Sequence, residues 1–520
     1  MTAKRFLQVV LTAVVLSAVA CVAIGCGQRT AEKPATPQKE GEEARGGVLR
    51  IGTGTDVLTF DLPNYRSTMD LLVGDLVLDT LVTMDVEMKQ LLPRLAVSWQ
   101  QVNDTTYVFD LRKGVTFTDG TPFNAEAVKV NFERTAKALK GSRFYGAISS
   151  VKVLDEYKVE FALSKPFAPF LTNLAQPIGV VYSPEALKKY GEDIYKNPVG
   201  TGMFKLEEWV PNDHVTLVRN DKYWGTPPKL EKVIFRPIPS ETTRLLAFKS
   251  GELDVIENVP PHEVAGLKND PNYLVIMSPQ MRTFWVGFNC GDPVLKDKNV
   301  RKAIAHAIDR KQICAHTLEG LAREASFGLI PPEVMPTDPP LENKFDQELA
   351  KQLLAQAGYP NGLELAMWTT EGRYLKDRQI AEVVQGQLSK VGVKLKIQVM
   401  EYGSYVDALA RHEQQMWLIG WAFSKHPDSY FTGCFHSASK ANWSNYKNPA
   451  LDSLIDEAVK VTDPEASKKL YWEIQKVLID DAVAIPIYYM QGIYATTSKV
   501  HDFVAHPMEV FDLSKTWVAK

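Results

Sequence analysis

The sequence predicts an α/β protein built from more than one domain. Its 520 residues exceed what a single compact core usually holds, because domains run to roughly 100–200 residues. A hydrophobic content of 45% with 23% charged residues is typical of a folded globular chain. In the second half of the chain, strand-like and helix-like segments alternate, which predicts parallel strands joined by helices.

The N-terminus has the pattern of an export signal. Lys4 and Arg5 precede a mostly apolar run over residues 6–24, and small residues follow in "AIGC". A membrane-spanning helix is the alternative, because the run is long enough to cross a bilayer. "AIGC" resembles the lipobox of bacterial lipoproteins, in which the cysteine is lipidated. We therefore expect a signal over residues 1–26 and lipidation at Cys26, since cleavage at Cys21 would leave an apolar stub.

Residues 27–46 are rich in Lys, Glu, Pro, Gln and Thr and show no apolar periodicity, which predicts a flexible tether. The net charge of −3 and the dispersed basic residues indicate no nucleic-acid partner. Cys290, Cys314 and Cys434 lie in the folded body, and outside the cytoplasm one disulfide can form among them. The sequence does not say which pair would form it.

The first half of the body predicts strands, hairpins and a few helices. "VLRIG" is a strand, and "DLLVGDLVLDTLVTMD" predicts a helix over residues 70–85. A strand, a turn at Asp119 and Gly120, and a helix capped by Asn124 follow. Alternating patterns then predict hairpins in residues 150–163 and 202–220, a strand in 282–290 and a helix in 300–313.

The clearest topological signal lies in residues 363–422. There "LELAMWTT" and "VKLKIQVME" and "MWLIGWA" predict strands, and helical patterns separate them. Ligands of such parallel sheets bind at the carboxyl ends of the strands. Those ends are residues 370–374 and 420–424, so we expect a binding site there.

Four motifs resemble the extracellular solute-binding proteins of peptide and nickel ABC importers. They occur in the family's order and lie at residues 111–134, 198–209, 300–310 and 372–396. The resemblance implies a periplasmic-binding-protein-like fold, with two α/β lobes, a subdomain inserted in the first lobe and hinge crossovers between the lobes. It also implies solute capture between the lobes, delivery to a membrane permease and no enzymatic activity.

The resemblance further implies domain boundaries and hinges. Lobe I comprises residues 47–82, 198–281 and 495–520, the inserted subdomain residues 83–197, and lobe II residues 282–494. Hinges are expected near residues 282–289 and 493–498, where the chain crosses between lobes.

Arg373 is the leading candidate for ligand binding. It follows the strand "LELAMWTT", and resemblance to dipeptide-binding members implies that it clamps a peptide carboxylate through charge-assisted hydrogen bonds. The alternative is a surface arginine paired with Glu371.

Further candidates surround residues 421–428. Trp421 and Phe423 are expected to point the same way, either into the pocket to contact an apolar part of the ligand or into the core. Where α-peptide binders of the family carry an aspartate for the ligand's ammonium group, this chain has Ser424. Either Asp428 supplies the negative charge, or the ligand offers no free α-amine there.

Weaker ligand-binding candidates come from the first lobe and from the crossover. Asn64, Tyr65 and Arg66 follow the first strand, and an ordinary solvated loop is the alternative. Trp285 lies on the crossover strand and is a second aromatic candidate, with core packing as the alternative.

No motif predicts catalysis, a cofactor or a protein-only metal site. His426 and His436 stand ten residues apart with no metal-binding spacing, and a triad of His426, Asp428 and Cys434 would be awkward because Pro427 separates the first two. We therefore predict a monomeric, lipid-anchored, extracytoplasmic protein that binds a short or modified peptide. A nickel-chelate importer component and a sensory receptor on the same fold remain the alternatives.

Overall fold

A computed structural model describes residues 46–335, 344–422 and 424–519. The expected signal with Cys26, and all but the last residue of the expected tether, lie outside the described residues. Phe423 also lies outside them.

The described residues form the following strands: β1 (Val48–Thr53), β2 (Val82–Met84), β3 (Leu91–Pro93), β4 (Ala96–Asn103), β5 (Thr106–Leu111), β6 (Ile148–Asp155), β7 (Lys158–Leu163), β8 (Phe204–Val210), β9 (His214–Arg219), β10 (Lys232–Pro237), β11 (Val255–Ile256), β12 (Tyr273–Phe288), β13 (Arg323–Glu324), β14 (Leu363–Thr369), β15 (Val393–Val399), β16 (Met416–Ala422), β17 (Ala484–Thr497), β18 (Val500–His501), β19 (Val504–Ala505), β20 (Phe511–Asp512) and β21 (Trp517–Val518).

The same residues form the following helices: α1 (Thr68–Val77), α2 (Ala125–Thr135), α3 (Gly141–Tyr145), α4 (Phe170–Asn173), α5 (Pro184–Tyr190), α6 (Glu241–Lys249), α7 (Pro261–Asn269), α8 (Lys298–Ala307), α9 (Arg310–Gln312), α10 (Gln347–Gln356), α11 (Asp377–Ser389), α12 (Tyr402–Ala410), α13 (Asp428–Cys434), α14 (Pro449–Ala458) and α15 (Pro464–Asp480). We find no helix among the described residues with the length and apolar character needed to cross a membrane.

One large mixed sheet organises the chain. Its strand order is β15-β14-β16-β12-β17-β11-β1-β10-β9-β8, with β13 paired to β17. The strands β14, β15 and β16 pair in parallel, as the alternation of strands and helices predicts. The expected loop at residues 370–374 therefore leaves the sheet where the strand order turns back at β14, and such switch points are common ligand sites.

The long antiparallel strands β12 and β17 join the two halves of this sheet. Residues 273–279 of β12 pair with residues 491–497, and residues 283–287 pair with residues 484–489. The register shifts between Pro279 and Thr283. Such an irregularity interrupts the ladder and bends the strand locally.

A separate antiparallel sheet, in the order β4-β5-β7-β6, lies within residues 83–197. The rings of Phe109 and Phe132 pack edge-on against Phe161 in its core, at centroid distances of 5.4 Å and 5.0 Å. The helix α2 begins where predicted, because the Asn124 side chain accepts a hydrogen bond from the Ala127 backbone N–H at 3.0 Å.

Two predicted helices are shorter than the sequence pattern indicates. The helix expected over residues 70–85 ends at Val77, because the buried Asp79 carboxylate accepts hydrogen bonds from Arg94 and Thr201, at 2.7 Å each. The helix expected over residues 300–313 breaks after Ala307, where Asp309 caps a new turn by accepting from the Gln312 N–H at 2.9 Å.

The three cysteines of the body are free thiols. Cys314 and Cys434 are buried and Cys290 is partly buried, and no disulfide joins any of them. The disulfide that the sequence left open therefore does not form in this structure.

Candidate functional site

The loop after β14 is shaped by a buried carboxylate. Asp377, at the start of α11, accepts hydrogen bonds from Thr370 Oγ1 at 2.7 Å and from the backbone N–H groups of Gly372 and Tyr374 at 3.1 and 3.2 Å. Gly372 adopts φ +81°, a left-handed conformation that glycine accommodates without strain. The loop thereby presents Arg373 from a fixed backbone.

Arg373 is enclosed by groups from distant parts of the chain. Its Nη2 donates to Thr68 Oγ1 at 2.5 Å, and its guanidinium lies 4.7 Å and 5.3 Å from the ring centroids of Tyr374 and Tyr402. Its Nε is buried and has no hydrogen-bond partner. The surface arginine paired with Glu371 is not observed, because Glu371 contacts Arg378 at 3.5 Å instead.

Arg373 borders a small enclosed cavity of about 30 Å³. By volume it has room for about two water molecules. Its lining combines one guanidinium, two carboxylates, two side-chain amides and apolar groups; the lining residues are Thr55, Thr68, Met69, Leu72, Glu257, Asn258, Gln280, Arg373, Met490, Tyr494 and Glu509.

The charges around this cavity favour a cationic Arg373. Burial acts to lower the pKa of Arg373, but nearby Tyr374 and Tyr402, followed by Glu509 and Glu257, raise it above the ordinary value. One Glu257 oxygen accepts from the Gly54 N–H at 2.7 Å. The cavity therefore brings an arginine and an acidic side chain together in a site with little water.

The second acid of the cavity, Glu509, belongs to a buried ion pair. Its carboxylate binds Arg282 Nε and Nη2 at 2.5 and 2.9 Å, and Arg282 Nη1 donates to the Gly420 carbonyl. The Arg282 side chain is only 3% exposed. The pair fixes the C-terminal segment to β12 just where the register of that strand shifts.

The predicted residues near β16 contact residues other than those that line this cavity. Trp421 packs against Trp443, with ring centroids 5.2 Å apart. Ser424 is buried and donates to the His426 carbonyl at 2.6 Å. Asp428 is buried at the start of α13, where it accepts from Thr432 Oγ1 at 2.6 Å.

Two further predicted residues, Trp285 and Asn64, have their own contacts within the protein. Trp285 is 2% exposed and packs on Trp417, with ring centroids 6.0 Å apart, so it has the contacts of the core-packing alternative. Asn64 is bound to Asp61 and to the Leu139 N–H, at 2.7 and 3.0 Å.

Tyr65 is partly buried, and Arg66 pairs with Asp407 of α12 at 2.9 Å. Of the predicted site residues, Arg373 lines the enclosed cavity, whereas Tyr65 and Arg66 lie on the loop that precedes the lining residue Thr68.

Sequence reasoning missed Glu257, Gln280 and Glu509. Gln280 gave no local signal, because Ser278, Arg282 and Thr283 in the same strand are polar as well. Glu257 directly follows the short strand β11, whereas Glu509 lies in an irregular C-terminal segment without periodicity.

Two larger surface hollows, of about 600 and 550 Å³, lie elsewhere. The first is lined by residues that include Asn64, Arg134 and Lys188, and the second by residues that include Lys311, His316 and Phe345. Both are open to solvent, whereas the Arg373 cavity is enclosed and collects buried charges. We therefore regard the smaller cavity as the candidate site. Nowhere in the described ranges do three His, Cys, Asp or Glu side chains meet in a way that could hold a metal ion.

Comparison with known proteins agrees with this architecture. The family described as "Bacterial extracellular solute-binding proteins, family 5 Middle" matches residues 90–443, which is more than half of the chain. The chain belongs to this family. The resemblance to the solute-binding proteins of peptide and nickel ABC importers, inferred from four sequence motifs, is confirmed.

The glutathione-binding protein GsiB of Salmonella choleraesuis is 29% identical over 481 residues, which cover 89% of this chain and 92% of GsiB. GsiB of Escherichia coli O1:K1 is 30% identical over 452 residues, covering 84% and 88%.

Among solved structures, the periplasmic binding protein DppA of Helicobacter pylori, in complex with the peptide STSA, aligns with a TM-score of 0.85 and 29% identity. The alignment covers 92% of this chain and 99% of DppA. The predicted periplasmic-binding-protein-like fold is therefore confirmed, and with it the substrate-binding role. The family consists of binding proteins, which is consistent with the expectation of a non-enzymatic chain.

Proposed function

We propose that this family member captures a short or modified peptide in the Arg373 cavity and delivers it to an ABC permease. The observation that carries the proposal is the enclosed juxtaposition of Arg373 and Glu257. Arg373 Nε is buried without a partner, and a peptide carboxylate would supply one. Glu257 offers a negative charge suited to a peptide's ammonium group. The names of the relatives, which bind glutathione and the peptide STSA, support the same ligand class.

Binding by this cleft requires the two lobes to separate and close. A cavity of about 30 Å³ cannot admit a dipeptide, so entry needs a wider state. We place lobe I at residues 47–82, 198–281 and 495–520, the insertion at 83–197 and lobe II at 282–494.

Three ion pairs among the described residues join these lobes: Arg66 with Asp407 at 2.9 Å, Lys376 with Glu241 at 2.7 Å, and Arg282 with Glu509 at 2.5 Å. The register shift of β12 between Pro279 and Thr283 is a suitable hinge, since few ladder bonds must change there.

We further propose that a lipid on Cys26 holds the body at the outer face of a bacterial membrane, where a monomer meets its permease. This rests on the charged, apolar and small-residue order of the N-terminus. The short polar stretch over residues 27–46 would let the folded body extend roughly 25 Å from its anchor.

Calorimetric titration of a body starting at Gly46 tests the ligand class. The panel comprises dipeptides, tetrapeptides, glutathione and nickel–histidine chelates. We expect a peptide or glutathione to bind in the titration. In separate thermal melts the same ligand should raise the melting temperature by mass action. Binding of the nickel chelate alone would contradict a peptide carrier, and binding of no panel member would contradict the ligand class as a whole.

A further inference from the structure

Two cationic side chains of the inserted subdomain face the second lobe. Lys140 directly precedes α3 and Arg143 lies within it. The Arg143 guanidinium lies 5.7 Å from the ring centroid of Trp421. A Cβ placed on Gly433 would lie 2.8 Å from Arg143 Nη1, so the guanidinium rests directly on the backbone of α13. Both cations are partly buried at this junction.

Neither cation has an anionic partner. In the part of the chain that the structure describes, no carboxylate lies within 4.0 Å of a Lys140 or Arg143 nitrogen, and neither side chain makes a hydrogen bond. The Asp428 carboxylate interacts electrostatically with Arg143, but it already accepts a hydrogen bond from Thr432 at 2.6 Å. Other titratable neighbours are Cys434, Tyr65 and Lys165.

Without a bound anion, the partial burial of these two neighbouring cations destabilises the protein. Burial, with a smaller contribution from the charge of Arg143, lowers the pKa of Lys140 to about 8. Two like charges removed from water repel each other, and each loses hydration. An anionic group placed between them would relieve both effects.

A short run of aromatic residues connects Arg143 with Arg373. Tyr402 stacks near Arg373, at 5.3 Å from its guanidinium to the ring centroid. Tyr65 interacts electrostatically with both Tyr402 and Arg143, although burial is the main cause of its raised pKa. Printed contacts also join the two ends: Arg373 lies over the ring of Tyr374, whose hydroxyl donates to the Gly420 carbonyl at 3.0 Å, and the next residue, Trp421, lies beneath Arg143.

We infer that the bound solute carries two carboxylates, one held by Arg373 and the other by Arg143 with Lys140. This rests on the proposed function, since it assumes that the cleft takes a peptide-like ligand. The ligand class is then a peptide with a second acid group, such as an acidic dipeptide or a γ-glutamyl peptide. The aromatic faces of Tyr65, Tyr402 and Trp421 would line the apolar stretch between the two charged ends.

Matched peptide pairs test the inference by calorimetry. Each pair differs only in the second carboxylate or its amide: Ala-Glu with Ala-Gln, Glu-Ala with Gln-Ala, and γ-Glu-Ala with the amide of its α-carboxylate. We expect at least one acidic member to bind roughly 10- to 1,000-fold more tightly than its amide. Arg143→Gln should remove that preference, so that the acidic peptide and its amide bind the variant with affinities within about threefold of each other. Lys137→Gln, an exposed cation of the same segment, should preserve it.

A second readout follows proton uptake by Lys140. At pH 8.5 a lysine with a pKa near 8 is mostly neutral. A carboxylate bound beside it should raise the pKa of Lys140, so that the amine takes up a proton from the buffer. Titration in two buffers of different ionisation enthalpy should show uptake of a fraction of a proton with the acidic peptide, and Lys140→Gln should abolish it. Melting curves establish that each variant is folded.

The outcomes separate the two proposals. The dicarboxylate inference is overturned if the acid and the amide bind equally well in every pair. It is also overturned if the preference for the acid survives in Arg143→Gln. In both cases the proposal of peptide binding stands. No binding by any peptide overturns the proposed function and this inference with it.

Discussion

The backbone of Gly54 lies directly against that of Gly372. A Cβ placed on Gly54 would stand 2.1 Å from the Gly372 carbonyl oxygen. A Cβ on Gly372 would likewise stand 2.1 Å from the Pro239 carbonyl oxygen. Because Gly54 and Pro239 belong to the proposed lobe I and Gly372 to lobe II, the closed cleft leaves no room for a side chain at either glycine.

Gly54→Ala should therefore hold the cleft open without damaging either lobe. Gly54 lies outside the left-handed region, so alanine brings no backbone strain, and its methyl group clashes only when the lobes meet. We expect at least a tenfold loss of peptide affinity and a larger radius of gyration by solution scattering. Gly386→Ala is the control, because a Cβ there meets nothing within 4 Å. Unchanged scattering and affinity would show that this contact does not form in the bound state.

Arg373→Ala should weaken binding of the native peptide by a factor of tens to thousands, because it removes a buried charged partner of the carboxylate. Arg373→Lys should recover only part of the affinity, since an ammonium cannot make the planar two-bond contact. Calorimetry on folded variants measures both. Arg378→Ala, which removes an exposed guanidinium paired with Glu382, should bind normally. Wild-type affinity in Arg373→Ala would refute the carboxylate assignment and direct attention to Arg66.

The parts of the site that the sequence predicts are those set by local pattern. The alternation of strand and helix around β14, β15 and β16 predicts a parallel sheet, and its carboxyl edge points to Arg373. The sequence could not supply Glu509, which meets Arg282 across 227 residues of chain. That contact depends on how the C-terminal segment returns to the crossover strand.

Aromatic residues on strands were ambiguous for a similar reason. Trp285 and Trp421 are both of a residue type that suits a pocket wall as well as a core. In the structure, Trp285 packs on Trp417 in the core. Trp421 stays partly exposed beneath Arg143. The two tryptophans differ in exposure because different elements cover them. The positions of α13 and of the inserted subdomain depend on tertiary packing, which the periodicity of hydrophobic residues in the sequence does not reveal.

The contribution of Asp428 to the stability of the protein should decrease as the pH rises from about 4 to about 6. Burial raises the pKa of Asp428 from its ordinary 3.8 to about 6. The unfolded chain therefore releases this proton near pH 4, while the folded chain keeps it until about pH 6. Since the folded state binds more protons in that window, the free energy of unfolding falls as the pH rises through it.

Asp428→Asn isolates this contribution. Two pKa units correspond to at most about 3 kcal/mol, so wild type should lose roughly 1–3 kcal/mol more than the variant between pH 4 and pH 6.5. Urea unfolding at four pH values measures the difference. Asp70, whose pKa burial also raises to about 6, titrates in both proteins and cancels. Parallel pH profiles for the two proteins would mean that Asp428 has an ordinary pKa in the fold.

Cys26→Ala should release the full-length protein from membranes, because a lipid and not a spanning helix is the proposed anchor. Fractionation of cells that produce wild type or variant provides the measurement, and Cys21→Ala serves as the matched control. A variant that stays in the pellet and resists carbonate extraction would identify residues 6–24 as a transmembrane segment.

Glu257→Gln should distinguish peptides by their amino terminus. Glutamine keeps an oxygen for the Gly54 N–H, which Glu257 now binds at 2.7 Å, but it removes the negative charge from the cavity. We expect a peptide with a free ammonium group to lose roughly 10- to 100-fold in affinity, because that group loses its partner in a site with little water. The N-acetylated form of the same peptide should bind both proteins equally. Glu252→Gln, at an exposed position nearby in the chain, controls for general electrostatics. A loss of affinity shared by the free and acetylated peptides would instead mean that Glu257 acts by holding the Gly54 backbone.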